Sequence, residues 1–488
     1  DLTYLAWYRW LEVEQLVRPP PTRQLKADLL PDDLTWHFQS YTDFSATTYN
    51  DLNFSAWIAG RILRRIQPSG VALDQAPRPP ERTAKSSGYI RPPRTRFHAV
   101  ARRLRAALRA ERCVVGSIGN EYSFSTKVRS MIAEAALGLF IHLLPAKHHL
   151  TLPKSDDELS IPARFPNEFV DIVASLIDET IPMMLTDEFM ALLQKAEETK
   201  SRPGKIWIRT SSFYIDPPTL FRIATGIERG EILLSSQHGG TYGSIDAHQF
   251  PGETEYRNHA FLTWGWREHS AYSGNFISLP SAQLAAWQHE RRPHDGSLVV
   301  VAQALRFMPG RISSEGDIFN RRFSRHARVN FFKGLPPGVR NHVRYRPYDG
   351  LPATASDTDY FLAHFPDLSI IRENFHQQLI QSRLVVVDYP GTTICQAMAA
   401  DIPTIGFWSP DAYRMCPQAE PIYEEMRKVG LVHYSGESAA AHIADNWDDV
   451  EGWWARPDVK AAREMFCAQF ANTKRLWWWN WMKALWRL

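Results

Sequence analysis

The sequence predicts an α/β protein made of two parallel-sheet halves, with additional helices at both ends. Four short segments with apolar centres indicate this class, two in each half: 205–209, 231–235, 298–301 and 384–387. Short apolar runs of this kind are typical of strands that are buried on both faces. Helical sequences separate the strands, and strands that alternate with helices form parallel sheets.

The composition is that of an ordinary globular protein. The 488 residues suffice for two or three domains, 44% of them are hydrophobic, and the net charge of +3 does not indicate a nucleic acid partner. The four cysteines are widely spaced, so they suggest neither a zinc site nor a disulfide framework and fit a reducing cytoplasm. No membrane span and no secretory signal peptide are visible, which also favours a cytoplasmic location.

We divide the chain into four regions. Residues 1–110 are a helical N-terminal region with a loop rich in proline and arginine. Residues 111–290 and 291–445 are two Rossmann-like domains, and 446–488 are tryptophan-rich helices that pack back on the core.

Two stretches leave the nature of their partner open. The segment 76–96 and the arginines that follow it form a basic region, which fits a solvated face, an anionic membrane surface or an acidic acceptor. The final helix carries five tryptophans within 477–486, which suit either packing across two domains or a membrane interface. We adopt packing, and peripheral contact with the inner membrane surface is the alternative.

The segment 384–410 has the sequence of a strand, a turn, a helix and a second strand. The helix is expected to begin at Thr392 and Thr393, directly after the turn that ends at Gly391. A helix that opens at the carboxyl end of a parallel strand offers free N–H groups and a positive dipole end to an anion. Gly391, Thr392 and Thr393 are therefore predicted to bind phosphate, although any α/β protein contains such units.

A glycine-rich loop with a histidine follows the strand at 231–235. Its sequence, 237–243, contains His238 and three glycines, which allow a ligand to approach the backbone closely. A histidine at this position can act as an acid, a base or a phosphate donor, or it can be structural in a tight turn. We predict ligand contacts from Gly239, Gly240 and Tyr242, and lesser candidates for a base in Glu253 and Glu255.

Two arginines alternate on the strand predicted near 343–347. Arg344 and Arg346 would project to the same side of the sheet and could jointly bind a phosphate or a carboxylate. A surface strand that happens to carry two arginines is the alternative.

Five motifs, taken in order, resemble a family of transferases from bacterial surface-polysaccharide and O-antigen gene clusters. The resemblance covers roughly 160–480 and is carried by 237–243, 261–266, 388–393, 402–408 and 448–454. It implies a GT-B fold with the donor nucleotide held mainly by the second half and the acceptor by the first. It also implies kinship with the Kdo and polyol-phosphate transferases, which carry a comparable His-Gly loop.

The resemblance also suggests roles for individual residues. Arg344 and Arg346, with Thr392 and Thr393, would stabilise the departing phosphate, and His238 would take the acceptor proton or steady the donor phosphate. GT-B enzymes often have a glutamate that grips the ribose where Gln396 stands here. Glutamine can hydrogen-bond a hydroxyl, but more weakly than a carboxylate does.

The sequence thus predicts a metal-independent glycosyltransferase with no cofactor beyond its nucleotide-sugar co-substrate. It would transfer a sugar to a surface-polysaccharide or lipid-linked glycan acceptor. A polyol-phosphate transferase or a nucleotide-sugar epimerase on the same fold is one alternative, since fold alone does not settle function. A non-catalytic glycan-binding or assembly protein is the other, and Gln396 is its best support.

Overall fold

Two parallel sheets with helices packed on them form the body of the protein. The computed structural model describes residues 2–17, 25–79, 113–115, 136, 166–201, 203–210, 216–246, 251–252, 254–288, 293–303, 318–348, 357–372 and 374–487. The arginine-rich residues from 80 to 112, predicted to be an exposed basic region, lie outside these ranges.

The N-terminal region is a helical layer with its own aromatic core. It comprises α1 (Leu2–Val17), β1 (Leu25–Leu29), α2 (Tyr41–Asn50), α3 (Leu52–Ile66) and β2 (Val71–Gln75), with β1 and β2 paired in parallel. Asp51 caps α3, because its Oδ1 accepts the N–H groups of Asn53 and Phe54. The two predicted helices are present, whereas the two short strands carry no pattern that predicts them.

The first sheet has five parallel strands in the order β3-β4-β5-β6-β7. They are β3 (Cys113–Val115), β4 (Ile206–Arg209), β5 (Ile232–Ser236), β6 (Ala260–Thr263) and β7 (Phe276–Ser278). The helix α4 (Asn167–Thr180) packs in the N-terminal aromatic core, and a 3-10 turn, Met183–Leu185, separates it from α5. The helices of the first sheet are α5 (Phe189–Glu197), α6 (Pro217–Glu228) and α7 (Ala282–Ala285). The elements β7 and α7 are too short to show periodicity, so the sequence carries no pattern that predicts them.

The second sheet has six parallel strands in the order β10-β9-β8-β11-β12-β13. They are β8 (Leu298–Val301), β9 (Val343–Arg346), β10 (Ser369–Ile370), β11 (Leu384–Val387), β12 (Thr404–Phe407) and β13 (Val432–His433). Its helices are α8 (Ile318–Gly334), α9 (Pro337–Arg340), α10 (Asp357–His364), α11 (Phe375–Gln381), α12 (Thr392–Ala399), α13 (Glu420–Lys428) and α14 (Gly436–Asn446). The order in which successive strands are added to the sheet reverses between β8 and β11. Such a point is a topological switch point, and α/β proteins bind ligands there, outside the carboxyl ends of the strands.

The C-terminal helices connect the two domains. After a 3-10 turn, Trp447–Asp449, they are α15 (Val450–Ala455), α16 (Pro457–Phe470) and α17 (Trp477–Arg487). Phe466 and Phe470 of α16 pack against Tyr423 of the second domain. The chain then crosses to the first domain, where Trp477 and Trp481 of α17 join the core beneath the first sheet.

These features confirm the predicted fold. Two Rossmann-like α/β domains of the GT-B type carry extra N-terminal helices and a helical C-terminal tail that returns to the first domain. No helix in the described ranges is long and apolar enough to cross a membrane.

Candidate active site

The two predicted motifs meet where the carboxyl edges of the sheets face each other. The backbone N–H of Gly240 donates to Thr392 Oγ1 at 3.2 Å. A Cβ atom at position 240 would lie only 2.4 Å from the carbonyl oxygen of Gly391. Glycine is therefore required at this contact, and a histidine loop and a helix start that are far apart in sequence form one site.

His238 is half-buried and lies at the end of a short hydrogen-bond chain. The hydroxyl of Tyr242 is 3.1 Å from its Nδ1 and 3.2 Å from its Nε2, and the same hydroxyl donates to Glu255 Oε2 at 2.9 Å. While Tyr242 gives its one proton to Glu255, it can only accept a proton from the imidazole. The arrangement holds the imidazole ring in place.

Glu255 is fully buried behind Tyr242. Burial, and then the nearby Glu255 carboxylate, raise the pKa of the Tyr256 phenol well above its usual range. Three predicted residues, His238, Tyr242 and Glu255, are thus brought together. Glu253, the other predicted base, lies outside the described residues.

The side chain of Gln237 fixes the shape of the histidine loop. Its Oε1 accepts the backbone N–H of Trp264 at 2.9 Å and the indole N–H of Trp266 at 2.8 Å, while its Nε2 donates to the carbonyl of Gly239 at 2.8 Å. Gly243 has a φ of 72°, and a Cβ atom there would be 2.4 Å from the Trp266 ring. Gln237 was not predicted as a site residue, although its place between a buried strand and the histidine is the signal that marks it.

The turn between β11 and α12 carries the second motif. Asp388 Oδ1 accepts the backbone N–H of Gln303 at 2.7 Å, which ties this turn to the end of β8 across the switch point. Burial raises the pKa of Tyr389 to about 12, partly offset by its hydrogen bond with Thr393. No described side chain caps the amino end of α12. Its first N–H groups and its dipole therefore suit a bound anion.

A buried ion cluster supports this turn from below. Arg328 is fully buried, and its Nε lies 2.8 Å from Asp388 Oδ2, while its Nη1 donates to the Tyr345 hydroxyl at 2.8 Å and pairs with Asp357. Arg325 adds a second cation 3.0 Å from Asp357. Burial raises the pKa of Asp388, partly opposed by Arg328. Sequence reasoning missed Arg328, because it is one of four arginines in α8 and an arginine is expected at the surface.

A comparison with known protein families decides the class. Residues 2–485 match the family described as LIC12162 family transferase. The chain belongs to this family. The prediction that the protein is a transferase is thereby confirmed. A search of curated proteins found no match.

Solved structures resemble this transferase at low identity. TarM matches with a TM-score of 0.35 and 12% identity over 61% of this chain and 58% of that chain. The pneumococcal O-GlcNAc transferase GtfA matches at 0.37 and 11% over 60% and 59%, and the wall teichoic acid polymerase TagF at 0.33 and 9% over 57% and 70%. The chain therefore spans less than two thirds of TarM and GtfA. Similarities of this size carry no argument about activity.

The structure separates the two predicted arginines of this transferase. Arg344 is level with Val299, near the amino end of the sheet, and its Nη1 pairs with Asp295 at 2.7 Å and donates to Gln378 at 2.9 Å. Thr392 follows the opposite, carboxyl end of β11, so the expected joint phosphate site is not formed by Arg344. Alternation predicts the face of the sheet on which a side chain lies but not its position along the strand. Arg344 and Arg346 are two positions apart, so they differ by about 6.6 Å along the strand.

Arg346 does lie at the carboxyl edge. It is level with Val301, which pairs with Val387, and its Nη1 donates to the carbonyl of Ile371 at 3.1 Å. Its guanidinium lies over the ring of Phe375.

The predicted ribose ligand, Gln396, is in α12 one turn after Thr392 and is 3% exposed. No group of three or more potential metal ligands occurs in the part of the chain that the structure describes.

A cavity of about 450 Å³ lies beside the junction of the two domains. Asp246 and Ser270 of the first domain and Trp408, Tyr413 and Tyr434 of the second are among its lining residues. The Tyr413 hydroxyl donates to the side chain of Gln303, which connects the cavity wall to the Asp388 turn. Aromatic walls with a few polar groups are typical of a small-molecule site.

Proposed function

We propose that this transferase moves a sugar from a nucleotide-sugar donor to a surface-polysaccharide or lipid-linked glycan acceptor. The observation that supports this most is the contact between the His238 loop and the uncapped start of α12. A proton acceptor and an anion-binding helix end, held side by side between two domains, are the two groups that transfer from a nucleotide requires.

In this proposal the donor phosphate lies at the amino end of α12. The N–H groups there, with Thr392 and Arg346, stabilise the negative charge that grows as the bond between the sugar and the phosphate breaks. Gln396 is the proposed ribose contact. We place the donor mainly on the second domain because the switch point and the helix end both belong to it.

His238 acts on the acceptor. The acceptor hydroxyl loses its proton to the imidazole as its oxygen bonds to the anomeric carbon, and the nucleotide leaves with the electrons of the broken bond. The imidazolium that results faces the Tyr242 hydroxyl, behind which Glu255 is buried. Because that hydroxyl donates to Glu255, it can accept a hydrogen bond from the imidazolium after the proton transfer.

A cytoplasmic location and a role in O-antigen or related polysaccharide synthesis complete the proposal. Cys395, Cys416 and Cys467 are free thiols, as a reducing compartment would allow. An acceptor carried on a lipid would bring the enzyme to a membrane surface.

The test is a panel of nucleotide sugars and nucleotide-linked polyols, scored by thermal shift and by nucleotide release. We expect one donor to bind, His238→Ala to slow release about 10²–10⁴-fold with little change in donor binding, and Thr392→Ala to weaken donor binding. His364→Ala, at an exposed histidine, is the matched control.

Unchanged rates in both variants would overturn the assignment. Binding of a nucleotide-linked polyol with transfer of its phosphate would favour the polyol-phosphate alternative. No binding of any nucleotide would favour a non-catalytic glycan-binding protein.

A further inference from the structure

The helix α17 has two faces of different character. Trp477, Trp481 and Leu485 are buried, and the indole N–H of Trp481 donates to the carbonyl of Pro280 at 2.8 Å. On the outer face Trp479 is 46% exposed and Trp486 61%, and Leu476, which directly precedes the helix, is 55% exposed. The positions 476, 479, 483 and 486 recur at intervals of three and four, so they line one side of a helix. Packing with the first domain thus accounts for only part of the tryptophan cluster.

The charged residues in α17 and directly before it are all positive. Lys474, Arg475, Lys483 and Arg487 are exposed, and the stretch from 473 to 487 contains no aspartate or glutamate. The ammonium of Lys483 lies 5.1 Å from the centre of the Trp479 ring. An ordinary surface helix of the same protein differs: in α13, Arg427 pairs with both Glu420 and Glu424.

We propose that the outer face of α17 binds the surface of an anionic lipid bilayer. Tryptophan rings favour the headgroup level of a bilayer, where an apolar ring and a polar N–H are both accommodated. An amphipathic helix with aromatic residues and flanking cations lies flat in that layer. Each cation close to an anionic surface strengthens binding by about fivefold.

The anchoring of α17 makes this surface rigid. Its inner residues are fixed on the first sheet, so the exposed indoles are presented without any ordering of a free segment. The bilayer contact would place the first domain, the proposed acceptor side, against the membrane. The identity of the first domain as the acceptor side rests on the proposed function. Vesicle binding itself requires no substrate, so it is measured independently of that function.

The experiment is co-sedimentation of the whole chain with vesicles of phosphatidylcholine, with or without phosphatidylglycerol. We expect binding to the anionic vesicles that falls as salt rises. The double variant Trp479→Ala/Trp486→Ala should bind at least about tenfold more weakly. Lys474→Glu/Lys483→Glu should lose the preference for phosphatidylglycerol. Met465→Ala, which removes an apolar side chain exposed to 42%, should bind like the parent chain.

Thermal unfolding of each variant shows whether it is folded, and the changed side chains are at the surface. Wild-type chain that does not sediment with anionic vesicles overturns the proposal, whatever the result of the donor panel. A double tryptophan variant that binds like wild type overturns it as well. If the two tryptophans instead hold a dimer that the variant dissociates in the absence of vesicles, the face is a contact between copies of the chain, and the proposal is wrong.

Discussion

The two domains bring the same kind of strand end to their junction but hold the loops that follow in different ways. The loop after β5 is shaped by hydrogen bonds from Gln237 and Tyr242, with one carboxylate, Glu255, behind them. The turn after β11 is held by Asp388, whose carboxylate pairs with the fully buried guanidinium of Arg328. One loop thus carries a half-buried ring that can exchange a proton, and the other carries a helix end held by charges.

This difference separates the two kinds of chemistry that the junction offers. Burial alone would lower the pKa of Arg328, but Tyr345 and the two carboxylates raise it well above its usual value, so the cluster keeps its charge. A permanently charged cluster cannot act as a proton relay, but it can fix a backbone turn. We therefore expect changes in the first loop to alter turnover and changes behind the second to alter stability.

The largest effect should come from Arg328→Met. This change leaves Asp357 and Asp388 buried without their shared cation, and breaking a buried ion pair costs about 3–5 kcal/mol. We expect chemical denaturation to show a loss of this size in the free energy of unfolding. Adding Asp388→Asn should recover part of it.

Arg65→Met removes an exposed pair with Asp171 and is the control, with an expected cost below about 1 kcal/mol. An Arg328 variant as stable as the Arg65 variant would show that the second turn does not depend on the ion cluster, and the contrast between the two loops would disappear.

Gly240→Ala should have the next largest effect, because it acts on the contact between the two loops. The added methyl group would meet the backbone at Gly391 and Thr392, which cannot give way as the tip of a side chain can. We expect a loss of about 1–3 kcal/mol in stability and weaker donor binding. Gly338→Ala, where the new Cβ atom meets nothing within 4 Å, is the matched control. Equal behaviour of the two variants would show that the loops need not touch.

Much of this junction could be predicted from sequence because its signals are local. A run such as Leu384–Val387 fixes a buried parallel strand, and the topology of such sheets brings the following turn to the ligand edge. The glycines beside His238 likewise show that the backbone is closely approached. These two signals were enough to anticipate both motifs.

The remaining features depend on partners that are distant in sequence. Arg328 is buried only because Asp357 and Asp388 arrive from other elements, and nothing in α8 itself shows this. The short strands β7 and β10 derive their pairing from neighbouring strands and have no pattern of their own. The predicted location of Arg344 differs from the observed one because strand alternation does not determine the position of a residue along the strand.

Tyr242→Phe tests whether the hydrogen bonds of the first loop contribute to turnover. The ring packs on Phe261 with centroids 5.5 Å apart, so phenylalanine should keep the packing and lose only the link between His238 and Glu255. We expect kcat to fall about tenfold, as for the loss of one hydrogen bond to a charged group. Tyr41→Phe, in the N-terminal layer and outside the junction, is the control. A Tyr242 variant with an unchanged kcat would show that this residue contributes only packing.

The smallest effect concerns a histidine of the second domain, where titration should change stability and not turnover. His433 ends β13 and is hydrogen-bonded with Ser438 at 2.8 Å and with the carbonyl of Gly430 at 3.0 Å. Burial, and then the nearby His442, lower the pKa of His433 from 6.5 to about 4. The unfolded chain therefore binds this proton near pH 6.5 and the folded chain only near pH 4, so the stabilising effect is complete above pH 6.5 and declines as the pH falls towards 4.

His433→Gln should remove about 1 kcal/mol of the loss in unfolding free energy between pH 7 and pH 5.5. Denaturation curves at both pH values measure this difference. His364→Gln, at an exposed position, should leave the pH dependence unchanged. Because His433 is in the second domain and outside the junction, its variant should keep the parent pH profile of kcat. A shifted profile would mean that proton exchange in the second domain reaches the active site, which is contrary to the division of roles between the two loops.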